Sequence, residues 1–213
     1  MDNEIVYSTS ELENSVDYLE MTLHFLKEKE HPHRFKWLMI NLHGALYGFG
    51  VLAIKGTSSI SRVYEEISEK KKQNAKNAII QQYKSLGIEG LLDDGSNLDS
   101  LITFQKGLLL RIWDVIKRAE SPDYMIQNTN SKLLELNDKQ SHAIDKMIKY
   151  RNDFAHFKPM ALGIIGDYEE DVVYPVLEVI EFIALETNNV LYFEDNHQKV
   201  EQIFKEIDEL RNQ

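Results

Sequence analysis

Apolar residues recur at three- and four-residue intervals along nearly the whole chain, and no stretch alternates strictly between apolar and polar. That period predicts helices almost throughout. Ser10, with Glu13 three positions on, makes a capping-box pattern ahead of Leu12, Val16, Leu19, Leu23 and Leu26, so a first helix is expected to run to about Lys29. His31-Pro32-His33 breaks the pattern. A second helix is expected from about Phe35 to Lys55, stopping at Gly56; within it Gly44 and Gly48 lie one turn apart, a spacing that lets another helix approach closely. Val63, Ile67, Ile79, Ile80 and Tyr83 predict a third helix over Ile60 to Tyr83, whose charged middle, Glu69 to Lys76, reads as a solvated face. Gly87 to Asn97 reads as a loop, and Asn97 as the cap of a helix from Leu98 to about Ala119 carrying Leu101, Phe104, Leu108, Ile112, Trp113 and Ile116. Ser121 to Asn130 reads as irregular. Asn137 with Gln140 opens a helix from Asp138 to about Phe157, with Pro159 as its stop; 158–170 is a loop. Helices at Asp171 to Thr187, with Pro175 in the first turn, and at Asn196 to Asn212 complete a bundle of about six or seven helices. The fold class is all-α.

Composition narrows what such a bundle can be. At 213 residues a single domain spanning 1–213 is the expectation. No cysteine is present, which excludes a disulfide scaffold, a thiol nucleophile and thiolate metal ligation, and fits a reducing, cytoplasmic setting. The acidic start Met1-Asp2-Asn3-Glu4 shows no secretory pattern. Trp37 to Ile54 carries no charge and is barely long enough to span a bilayer, but Asn41, His43 and three glycines interrupt it, so a buried central helix is expected and no membrane span. The net charge of −11 rules out a general nucleic-acid coat, because phosphate binding is dominated by Lys and Arg. The lysines at Lys70, Lys71, Lys72 and Lys76 do not alter this, since Glu65, Glu66 and Glu69 stand beside them. Contact with RNA therefore requires a local basic site.

The densest chemistry lies in Arg151-Asn152-Asp153-Phe154-Ala155-His156-Phe157. An arginine fork binds phosphate at any physiological pH, and a histidine exchanges protons near neutrality. Ile144, Met147, Ile148, Arg151, Phe154 and Ala155 follow helical spacing, which puts a cation on an apolar stripe, where it needs a partner or a purpose. Asn152 and His156 share a face, whereas Arg151 and His156 lie about 140° apart on a straight helix and diverge. They converge only if the helix end distorts or a second subunit completes the site. Structural roles compete: an acidic partner for Arg151, and helix-end carbonyls for His156. Phe154 and Phe157 suit core packing better than base stacking. Other constellations are weaker. Glu20, His24 and Glu28 share a face, and Glu30-x-x-His33 and Glu194-x-x-His197 have a di-iron spacing, but both of the latter fall at turns. No metal and no cofactor are expected. No nucleophile elbow or phosphate-cradling glycine loop is present.

Tyr150-Arg151-Asn152-Asp153-Phe154-Ala155-His156-Phe157 resembles the signature of the HEPN superfamily, an Arg followed by a polar residue and then by a His after four to six intervening positions; here four intervene. The charge-free helix with Leu42, Ala45, Leu46, Phe49 and Leu52 is similar to the early core helix of such proteins, and the likeness in general plan covers roughly residues 10–190. Relative to small members, 57–97 reads as an insertion carrying a charged helix, and 190–213 as a C-terminal helix. The resemblance implies a helical bundle that forms a homodimer, with Arg151, Asn152 and His156 at an interfacial cleft. It also implies metal-independent cleavage or binding of RNA, in a toxin or phage-defence setting, with an antitoxin or other regulatory protein as partner. The other reading it allows is a non-catalytic dimerisation or protein-interaction module.

Overall fold

The computed structural model describes residues 6–57, 60–87, 98, 102–103, 107–126, 130–156 and 163–213. Among these the chain is all-α, and its only extended pairing is an isolated antiparallel bridge between Tyr64 and Leu109. Eight α-helices are found among the described residues: α1 (Glu11–Lys27), α2 (Arg34–Lys55), α3 (Glu69–Ser85), α4 (Ile112–Ala119), α5 (Pro122–Met125), α6 (Asp138–Ala155), α7 (Tyr174–Glu181) and α8 (Asn196–Arg211).

Helix α2 is the centre of the bundle, and α1, α4, α6 and α7 all pack on it. Its length and mean hydropathy of 1.5 would let it cross a bilayer. Here Leu38, Leu42, Leu46, Phe49 and Ile54 are instead buried by the surrounding helices. Each such side chain contributes about 1.5–3 kcal/mol through removal from water. Helix α1 starts at the expected capping box, with the Ser10 hydroxyl accepting from the Glu13 N–H and the Glu13 carboxylate accepting from the Ser10 N–H. The contact of α1 with α2 is close because α2 lacks side chains there. A Cβ on Gly44 would stand 2.5 Å from Tyr18 Cγ, and one on Gly48 would stand 2.2 Å from Ser15 Oγ. Neither distance is compatible with two real atoms in van der Waals contact.

A buried cation joins three elements at one end of the bundle. Arg34 opens α2, where the helix dipole disfavours positive charge. Its Nε donates to the Phe25 carbonyl at 2.6 Å and its Nη2 to the Leu26 carbonyl at 3.0 Å, satisfying acceptors that the C-terminus of α1 leaves open. Its Nη1 donates to Tyr168 Oη at 2.5 Å and pairs with Glu169 at 2.6 Å. Burial opposes the guanidinium charge, but Glu169 outweighs it and holds the Arg34 pKa above its ordinary value.

Four expectations need correction. The helix expected over 60–83 is two pieces, a 3-10 turn at Ile60–Val63 and α3. The helix expected from Leu98 to Ala119 is α-helical only from Ile112 within 107–119; Asn97, Leu101 and Phe104 lie outside the described residues. The cause is shared: Glu65 N–H donates to the Leu108 carbonyl at 2.8 Å and Leu110 N–H to the Val63 carbonyl at 3.1 Å, so each segment takes the backbone groups that a helix would have used. Leu108 is accordingly 67% exposed rather than core. In the third, a short helix, α5, falls within the stretch read as irregular. The helix expected from Asp171 begins earlier, with a π-helical turn at Glu169–Val173 in which the Tyr174 N–H reaches the Glu169 carbonyl, five residues back. Pro175 follows directly, and the wider turn accommodates a residue that cannot donate and whose ring crowds the preceding turn. Helix α3 buries Ala75 and Ile79 in a small cluster of its own with Leu98 and Ile102.

Replacing Arg34 with Ala should cost about 3–5 kcal/mol, because it strands Glu169 and the α1 carbonyls together. Urea unfolding measures this, and a loss under about 1 kcal/mol would show that the cation does not hold these elements.

Candidate functional site

Helix α6 carries the Arg151 motif and is fixed at both ends. Asn137 and Gln140 form the reciprocal capping box at its start. Ala143, Ile144 and Met147 are fully buried against the core, and Trp113 of α4 donates to Asp145 at 3.0 Å. Near its end, Tyr150 and Phe154 meet Phe35 of α2 edge-on at centroid distances of 5.0 and 5.9 Å. Phe35 also meets Tyr168 at 4.9 Å, so this aromatic group ties α6, α2 and the turn before α7. Phe154 is thus a packing residue; Phe157 and Pro159 lie outside the described residues. The stripe ends sooner than its spacing suggested, since Ala155 is exposed.

Arg151 continues the buried stripe and is itself half-buried. Its Nη1 donates to Asn152 Oδ1 at 3.0 Å, and no carboxylate pairs with it among the described residues. The acidic partner that a purely structural arginine would need is therefore not found there. Arg34, Arg62, Arg118 and Arg211, by contrast, are each held by backbone carbonyls or carboxylates.

His156 occupies the C-cap of α6, with φ −99° and ψ 10°. Its backbone N–H donates to the Asn152 carbonyl at 3.0 Å, so Asn152 ties to both neighbours, by its side chain to Arg151 and by its main chain to His156. The imidazole is exposed and makes no hydrogen bond among the described residues, so the helix-end carbonyls do not hold it. Asp153, between them, is buried at 7% exposure.

Arg151 and His156 do not line the same cavity. Arg151 lines a partly enclosed cavity of about 470 Å³ against α1 and α2, and His156 is not part of its wall. The histidine in that wall is His43 of α2, with Tyr18, Tyr47 and Tyr64. The His43 ring lies nearly parallel to Tyr47, at 9° between planes and 6.4 Å between centroids. Burial, reinforced by the Arg151 charge, pulls the His43 pKa down to about 4, so its imidazole is neutral at physiological pH. In the sequence His43 figured only as an interruption of an apolar run. Its position beside Gly44 and one turn before Tyr47 was visible, but its meeting with Arg151 depends on how α2 and α6 cross.

The weaker metal constellations are occupied or dispersed. Glu20 pairs with Lys199 at 2.7 Å, His24 is exposed, and His197 lies 3.5 Å from Glu201. Among the described residues no group of three or more His, Asp or Glu is placed to hold a metal ion. A scan against protein-family models and searches of curated proteins and of solved structures gave no match.

The depressed His43 pKa makes stability depend on pH. Between about pH 6.5 and 4 the unfolded chain binds the proton and the folded chain does not, so stability rises with pH through this window and falls as pH drops toward 4. The contribution is roughly 1–3 kcal/mol after allowance for the water that reaches the ring. His43→Gln should flatten the difference between urea midpoints at pH 4.5 and 7; identical differences in both proteins would contradict a neutral, half-buried imidazole.

Proposed function

We propose that this protein is a HEPN-like, metal-independent ribonuclease or RNA-binding protein whose site is built from Arg151, Asn152 and His156 and completed by a second copy of the chain. The observation that carries this reading is a half-buried arginine tied only to a neutral amide, followed one turn later by an unengaged, exposed histidine. A chain with a net charge of −11 keeps this guanidinium without a carboxylate partner among its described residues. That arrangement favours an external anion. Because helix geometry sets Arg151 and His156 about 140° apart and His156 is absent from the cavity wall that Arg151 lines, a two-copy arrangement is the simplest way to bring a guanidinium and an imidazole to one phosphodiester.

In that site the ribose 2′-hydroxyl attacks phosphorus, its proton passes to the neutral imidazole of one His156, and the bond to the 5′-oxygen breaks as the protonated His156 of the second copy supplies a proton to it. The products are a 2′,3′-cyclic phosphate and a 5′-hydroxyl, and the reaction needs no metal. Arg151 stabilises the charge that accumulates on the non-bridging oxygens in the transition state. Asn152 holds the guanidinium in place. The alternative, a non-catalytic dimerisation or protein-interaction module, needs neither the anion contact nor the proton transfers.

The test is RNA cleavage in EDTA by the full-length protein and two variants. His156→Ala should lower the rate about 10²–10⁴-fold. Arg151→Ala should lower it about 10²–10³-fold. RNA binding without cleavage would select the RNA-binding form of this reading, neither binding nor cleavage would select the non-catalytic interaction module, and equal cleavage by all three proteins would mean that the activity is a contaminant and the reading wrong.

A further inference from the structure

Apart from Arg151, the cavity between α1, α2 and α6 is lined by residues that the RNA reading does not use. Its wall is chiefly apolar and aromatic, formed by Tyr18, Tyr47, Tyr64 and Val51, with Arg151 and His43 as the groups of interest for recognition. Its volume of about 470 Å³ lies within the range of sites for small organic molecules. Several polar groups on the wall are unengaged. The His43 ring and the hydroxyls of Tyr18 and Tyr64 have no hydrogen-bond partner among the described residues, whereas Tyr47 donates to the Leu110 carbonyl at 2.9 Å. These residues are half-buried, and no side-chain polar atom sealed from solvent lacks a partner among the described residues, so the unengaged groups stay accessible and can bond to an occupant of the cavity.

We propose that this cavity binds a small planar aromatic carboxylate. The ring lies among the tyrosines, whose faces and edges favour offset or edge-on contact with another aromatic system. The carboxylate meets the Arg151 guanidinium, a planar fork matched to two carboxylate oxygens. The anion is a monoanion because the wall offers one guanidinium: a phosphate dianion would bring a second charge into a mostly apolar space with nothing to neutralise it. Glu11, the acidic residue on this wall, is already paired with Lys55 at 2.5 Å. His43, neutral and stacked beside Tyr47, presents one donor and one acceptor and so selects for a polar substituent without adding charge. A different cleft of about 640 Å³, between α7 and α8, is lined by Glu181, Glu201, Asp208 and Glu209 and repels anions.

Isothermal titration of the full-length protein with indole-3-acetate and 4-hydroxybenzoate tests the assignment. At least one should bind with one-to-one stoichiometry, and its neutral carboxamide should bind at least tenfold more weakly. Arg151→Gln should erase that preference, and Tyr47→Leu should weaken the carboxylate about tenfold. The acid-against-amide comparison is made on the unaltered protein and stands even where a variant does not fold. Equal binding of acid and amide, no binding of either acid at millimolar concentration, or tighter binding of a nucleoside monophosphate would each overturn the proposal. None of these results depends on whether the protein cleaves RNA.

Discussion

At Gly44 and Gly48 helix α2 presents bare backbone to α1, and a Cβ at either position would collide with Tyr18 or Ser15. This close crossing brings the Ser15 and Tyr18 side of α1 down onto α2, so that one wall of the cavity forms directly over the glycine pair. It also leaves the rest of α2 to α4, α6 and α7. The C-terminal part of α6 then packs where Phe35 receives Tyr150 and Phe154, and Arg151, on the same stripe, comes to rest against His43 and the cavity. The position of Arg151 is in this sense a consequence of two missing side chains elsewhere.

Two arginines on neighbouring helices show how burial and partners decide what a cation does. Arg34 is buried, and its hydrogen bonds go to two carbonyls, a phenol and a carboxylate; its charge is consumed in joining α1, α2 and the turn before α7. Arg151 is only half-buried and holds one neutral acceptor. Water screens it less than a surface lysine, yet nothing acidic neutralises it among the described residues. Such a group favours anions in its own neighbourhood while the net charge of −11 disfavours them over the protein as a whole.

Much of the scaffold was legible in the sequence because its signals are local. The capping boxes at Ser10 and Asn137 sit where expected, and α1, α2, α6 and α8 match their expected spans to within two residues, with Phe157 outside the comparison. Gly56 ends α2 with φ +48°, a conformation that glycine adopts without strain. What failed was non-local: 63–65 and 108–110 satisfy one another's backbone across some forty positions of chain, and no 3–4 pattern registers that exchange. Arg34 was missed for the same reason, although a cation in the first turn of a helix is a sign that some other element must supply acceptors. For the site, the divergence of Arg151 from His156 could be derived from helix geometry, but His43 as the imidazole actually facing Arg151 could not.

The account turns on Arg151 being the group that meets an RNA phosphate. The most direct measurement is the side-chain Nε–Hε spectrum of the arginines during titration with a short 2′-O-methyl RNA, which cannot undergo 2′-hydroxyl attack. The account predicts a saturable shift of the Arg151 resonance that added salt reverses, while Arg34, buried and already engaged, does not move. A titration that shifts other arginines and leaves Arg151 unchanged would contradict it.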